Sequence, residues 1–239
     1  MGSLVNKTIA QMELFSSNGI ADKTLFSEVM CETLAASPPV RLLDIGCGSG
    51  IIGLFALLNG SEYVYFNDIQ PDAITLTKRN LKHHQIPSSA YQFINLPFQK
   101  IDLASCQFDA IAFNPPQLPT QMVSIEKFGA QQEKIFRDGG PNGLHLIEQF
   151  IDWLAKSLPN NTRAYLGISS MLLVDDLLDK VQQKGLLAEK KHQRTVPLRD
   201  IFHPLIEQMP ESLRQRRKLS KRDDQWYKKI YALEFRRNV

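Results

Sequence analysis

The stretch from Arg41 to Gly50, Arg-Leu-Leu-Asp-Ile-Gly-Cys-Gly-Ser-Gly, constrains the fold of this chain more than any other. A short apolar run breaks into alternating glycines, and an apolar segment, Ile51 to Leu58, resumes at once. Such a run predicts a strand buried on both faces, as in a parallel sheet. The glycines predict a tight turn that lets a ligand approach the backbone. The segment after them predicts a helix.

The same rhythm continues in both directions. Asp22 to Leu34 has Leu25, Phe26, Val29, Met30 and Leu34 at helical spacing, with Asp22 as its candidate cap. Tyr63 to Phe66 predicts a second strand, closed by Asn67-Asp68, and Pro71 opens a helix running to about His83. Tyr91 to Ile94 and Phe108 to Phe113 predict the third and fourth strands, the latter ending at Asn114-Pro115. Leu144 to Leu158 reads as an amphipathic helix, Arg163 to Ile168 as a strand, and Leu172 to Lys184 as a helix closed by Gly185. Leu187 to Val196 and Trp226 to Phe235 complete seven strands.

This alternation predicts an α/β fold: a mostly parallel sheet with helices on both faces and the last strand antiparallel. We expect one domain over residues 1–239, with an N-terminal helical segment at 1–36. Residues 197–225 form an insertion between the last two strands, longer than an ordinary connection and a candidate lid. Ligands of such sheets bind beyond the carboxyl ends of the strands.

At 43% hydrophobic and 22% charged residues, the chain can build a full globular core. No apolar run reaches the length of a membrane span, and Met1 to Ile20 lacks a secretory pattern. Cys31, Cys47 and Cys106 show no metal-ligand spacing, so we expect no metal and a reducing, cytoplasmic setting. The net charge is +3. Its basic stretch, Arg214, Arg216, Arg217, Lys218, Lys221 and Arg222, reads either as a solvated face or as a contact for RNA, a ribosome or an acidic partner.

Two features narrow the ligand. Asp44 precedes a Gly-x-Gly-x-Gly turn, where a carboxylate would repel a pyrophosphate but tolerate a cationic amino-acid end. Asp68 closes the second strand about twenty residues on, where it can accept hydrogen bonds from ribose hydroxyls, and Ile69 can pack on an adenine face. With these residues the chain resembles the class I S-adenosylmethionine-dependent methyltransferases, whose fold is Rossmann-like, from Val40 to about Ile168. The resemblance implies that Asp44, Gly46 and Gly48 contact the methionine half, Asp68 the ribose and Asn95 the adenine.

Asn114-Pro115-Pro116-Gln117 resembles the Asn-Pro-Pro-Tyr motif of N-methyltransferases acting on protein glutamines and on nucleobases. The lone pair of a planar nitrogen is delocalised, so its N–H groups must be held for attack. The Asn114 side-chain oxygen and the Pro115 carbonyl can accept them from a backbone stiffened by two prolines. Asp138-Gly139-Gly140-Pro141-Asn142-Gly143 follows at the spacing of the HemK-like enzymes, which modify release factors. Pro116 and Gln117 would then border the substrate. Gln117 stands where that family has an aromatic that stacks on the substrate; it can hydrogen-bond a polar group, or Phe128, Phe136 or Phe202 can stack instead. From the candidate lid, His203 or Glu207 can reach the site.

The primary expectation is therefore N-methylation of a protein glutamine. Alternatives are an RNA N-methyltransferase, a small-molecule methyltransferase with a closed pocket, and a non-catalytic scaffold.

Overall fold

The computed structural model describes residues 8–17, 23–104, 107–125 and 136–238. Its central sheet runs in the order β3-β2-β1-β4-β5-β8-β6, with a short β7 paired to β8. Strands β1 (Arg41–Ile45), β2 (Tyr63–Asn67), β3 (Tyr91–Ile94), β4 (Ala110–Phe113) and β5 (Arg163–Ser169) are parallel. The long β8 (Gln225–Arg237) inserts antiparallel between β5 and β6 (Leu186–Pro197).

Side chains alternate across the sheet, and each face has its own core. Leu43, Ile45, Ile111, Phe113, Leu166 and Leu233 pack on one side, against α5 (His145–Ser157) and α6 (Val174–Gln183). Leu42, Val64, Phe66, Ala110, Ala112 and Tyr165 pack on the other. There they meet α1 (Leu25–Ala36), α2 (Ile51–Leu58) and α3 (Pro71–His83). This two-sided burial is why the strands read as unbroken apolar runs.

Three expectations change. Helix α1 begins at Leu25, and Thr24 is its cap, its hydroxyl accepting the Ser27 N–H at 3.1 Å. Asp22, the expected cap, lies outside the described residues, as do Phe128 and Cys106. The sheet also has eight strands, not seven. The extra one, β7 (Ser220–Arg222), turns into β8 through Asp223 and Asp224 at φ 46° and 62°. Two successive positive φ values make the tight hairpin turn that matches strand twist. Three basic or polar residues carry no alternation, so the strand leaves no signal of its own.

The insertion is an ordered cap with α7 (His203–Glu207) and α8 (Glu211–Arg216). Leu198, Phe202, Ile206 and Trp226 form a satellite core with Met171 and with Met122 of α4 (Thr120–Ile125). The cap is thus packed onto the chain that follows β4. Among the described residues, no helix is long and apolar enough to cross a membrane.

Candidate active site

The carboxyl ends of β1, β2 and β4 open into two adjoining cavities. The first, of about 370 Å³, is bordered by Gly46, Gly48, Asn67, Asp68, Ile69 and Phe98. Gly46, Gly48 and Gly50 have φ of 59°, 55° and 78°, left-handed values that side chains resist. The Cys47 N–H donates to the Asn67 carbonyl at 2.9 Å and ties this turn to β2.

Asp68 holds the rim. Its Oδ2 accepts the Gly48 N–H at 3.1 Å and its Oδ1 the Gln70 N–H at 2.9 Å. Burial raises its pKa above the ordinary carboxylate value, while these backbone bonds oppose the rise. Ile69 beside it is 60% exposed, an apolar face open to a ligand.

Asp44 does not border the cavity. It is 1% exposed beneath the turn, its Oδ2 accepting the Gly53 N–H at 2.9 Å. Burial pushes its pKa up to about 7, against the opposing effect of that bond. Asn95 also stays off the cavity wall; its amide donates to the Asp68 carbonyl at 2.6 Å and braces the loop. Asn67, not singled out in the sequence, does border the cavity. Its Nδ2 donates to the Ile94 and Leu96 carbonyls, each at 2.8 Å. A polar residue ending an apolar strand was the available signal.

The second cavity, of about 380 Å³, lies on the far side of Asn114, Pro116 and Phe136, which border both. Pro115 and Gln117 form its floor, α1 contributes Leu25 and Phe26, and the cap contributes Leu198 and Phe202. The expected lid therefore reaches the site, through an aromatic and a leucine. His203 and Glu207 do not border the cavity. The His203 ring pairs with the Leu198 carbonyl and the Gln225 amide, and Glu207 accepts from Lys221 at 3.1 Å.

Among the described residues, no hydrogen bond engages the Asn114 side chain. Asn114 thus borders both cavities with a side chain that makes no hydrogen bond among the described residues. Gln117 differs: its Nε2 donates to the Gly167 carbonyl at 3.0 Å and its Oε1 accepts the Ser169 N–H at 2.7 Å.

The basic stretch is largely engaged within the fold. Arg216 pairs with Asp176 at 2.5 Å, Lys218 with Asp175 at 3.1 Å and Lys221 with Glu207 at 3.1 Å. Arg214 donates to the Ile206, Glu207 and Met209 carbonyls.

Comparison with known proteins bears on the family and the fold. A Methanocaldococcus jannaschii protein assigned as a protein N5-glutamine methyltransferase is 29% identical over 164 residues, 67% of this chain and 78% of that protein. The release factor glutamine methyltransferase of Aquifex aeolicus is 28% identical over 162 residues, 64% of this chain but only 57% of the relative. Among solved structures, the Mtq2–Trm112 complex of E. cuniculi, responsible for methylation of the eRF1 termination factor, superposes with a TM-score of 0.56. That match is 13% identical and covers 91% of this chain and 98% of that one, a likeness of fold. The profile of the methyltransferase small domain matches residues 7–141. Glycine turn, strand-end carboxylate and Asn-Pro-Pro turn thus meet on a fold of the same kind, and this chain belongs to the methyltransferase small domain family and is a methyltransferase.

Proposed function

We propose that the protein uses S-adenosylmethionine to methylate a glutamine side-chain nitrogen in a protein substrate of release-factor type. The observation that carries this reading is the Asn114 side chain, which borders both cavities and makes no hydrogen bond among the described residues.

The first cavity suits the donor. The Asp68 carboxylate holds backbone N–H groups of Gly48, Gln70 and Ile69, and its two oxygens have further acceptor capacity for a ribose hydroxyl. The left-handed turn at Gly46 and Gly48 brings bare backbone to the methionine half, and Ile69 offers a flat apolar contact for adenine. Asp44 acts from beneath, holding α2 against the turn through Gly53. When bound, S-adenosylmethionine supplies a methyl group on a positively charged sulfur, activated for transfer to nitrogen.

The second cavity would hold the acceptor. The Asn114 oxygen and the Pro115 carbonyl accept the two N–H bonds of an amide and turn its nitrogen toward the first cavity. Both acceptors sit on a stiff backbone, so little is reorganised when charge develops. Positioning of this kind can supply several kcal/mol of a barrier, on the order of 7–11 at best.

A second reading, a small-molecule acceptor, is favoured by the cap: Leu198 and Phe202 close one side of the acceptor cavity. Mass spectrometry of a cell extract incubated with the enzyme and isotopically labelled S-adenosylmethionine separates the two. Label on a protein glutamine is the expected result. Label confined to metabolites supports the second reading, and no incorporation overturns both.

A further inference from the structure

We infer that Gln117 is a positioning residue that takes over the two ladder bonds of Pro115 and thereby leaves the Pro115 carbonyl open to the acceptor substrate; the inference rests on the role proposed above for that carbonyl.

The register shows why a substitute is needed. Strands β4 and β5 are parallel, with Phe113 opposite Leu166. The Arg163 N–H donates to the Asp109 carbonyl at 3.1 Å. In a parallel ladder every second residue of one strand bonds the two groups flanking its partner. Position 109 is one such residue, so the series continues through 111 and 113 to 115. Position 115 falls opposite Ile168, and its partners would be the Gly167 carbonyl and the Ser169 N–H.

Pro115 has no N–H to give to Gly167. Left alone, the end of β5 would keep a bare carbonyl there, and the Ser169 N–H would draw the Pro115 carbonyl into the ladder. The Gln117 side chain instead supplies one donor and one acceptor, and it bonds the same two groups, at 3.0 and 2.7 Å. Among the described residues, the Pro115 carbonyl keeps only a long 3.5 Å contact from Gln117 Nε2.

The main chain at 117 is held from the other side. A Cβ on Gly143 would lie 2.6 Å from the Gln117 carbonyl oxygen. The adjacent Leu118 exchanges 2.9 Å bonds with the Arg137 carbonyl and the Gly139 N–H. The turn at 138–143 and the Gln117 amide therefore clamp the Asn114–Pro116 turn between them. Asn114 itself sits so close to β5 that a Cβ on Gly167 would come within 3.2 Å of its Oδ1.

The test uses Q117M, which keeps the volume and neither bond, and Q117E, which keeps only the acceptor. Amide hydrogen exchange is read at Ser169. Turnover is read with labelled S-adenosylmethionine and a glutamine-containing peptide. We expect Ser169 protection to be lost in Q117M and retained in Q117E. We expect kcat to fall roughly 10- to 100-fold in Q117M, the scale of a small misplacement, with acceptor KM and cofactor affinity within about threefold. Unchanged Ser169 protection in Q117M overturns the inference, as does a rise in KM with kcat intact, which would make Gln117 a substrate contact. If the wild-type protein transfers no label to the peptide, the glutamine reading fails, and Ser169 exchange alone upholds or overturns the clamp.

Discussion

At the scale of single residues, the roles proposed for Asn114 and Asp68 are separable. Asn114 touches both cavities, and its side chain makes no hydrogen bond among the described residues. Asn114→Ala should therefore lower kcat by about 100- to 1000-fold, the cost of one preorganised polar group, with binding of the demethylated donor product within a few-fold by calorimetry. Asp68 carries the opposite signature. Its bonds to ligand hydroxyls would be charge-assisted, each about 1.5–3 kcal/mol. Asp68→Ala should weaken donor binding about 10- to 100-fold in the same titration. It also frees the Gly48 and Gln70 N–H groups, so a lower melting temperature should accompany the loss. Both residues were legible in the sequence, because each ends a strand that the apolar runs located. The environment of Gln117 was not. Its partners are 50 and 52 residues away, and no local pattern announces a side chain standing in for a strand.

At the scale of elements, the cap and α1 complete the wall of the second cavity. The cap is fastened to α6 by Arg216–Asp176 and Lys218–Asp175, and α1 to β6 by Arg194 pairing with Glu28 and Glu32. Exposed pairs contribute little each, about 0.2–1 kcal/mol, so the apolar contacts of Phe202, Ile206 and Trp226 dominate the cap's stability. The pairs matter for binding because Arg216, Lys218 and Lys221, three of the six cations of the basic stretch, are engaged with carboxylates. If its six cations all contacted phosphate, the logarithm of RNA affinity would fall against that of salt with a slope near −4 to −5. We expect any tRNA retention to show a slope shallower than about −2, measured by filter binding across salt. Apart from α4, which the sequence did not announce, helix and strand identities outside the cap came through in the sequence, with ends shifted by a residue or two. The cap's internal structure did not, because its elements are short and acquire their apolar partners from Met122 and Met171, far along the chain.

At the scale of the whole molecule, burial of Asp44 in the core between β1 and α2 ties stability to pH. Its pKa, near 4 in the unfolded chain, is raised to about 7 by desolvation. The folded state then binds the proton more tightly than the unfolded state. Stability from this group is fully present below about pH 4, falls as pH rises toward 7, and is flat above. Asp44→Asn keeps an acceptor for Gly53 and removes the titration. The variant should gain about 2–3 kcal/mol relative to wild type between pH 5 and 8, read from denaturant unfolding at each pH. A constant difference between the two proteins would place Asp44 at an ordinary pKa in the fold.

Amino-acid order alone was enough for the strand–helix rhythm, the glycine turn and the Asn-Pro-Pro turn that ends the fourth strand, because local periodicity and backbone sterics write those features into neighbouring positions. It left open which groups line the cavities. Asp44 turned inward to Gly53, Asn95 to the Asp68 carbonyl and Gln117 to β5, while the Asn114 side chain makes no hydrogen bond among the described residues. Those outcomes depend on where distant donors and acceptors meet once the sheet closes. A buried polar group bonds whatever the fold brings within reach.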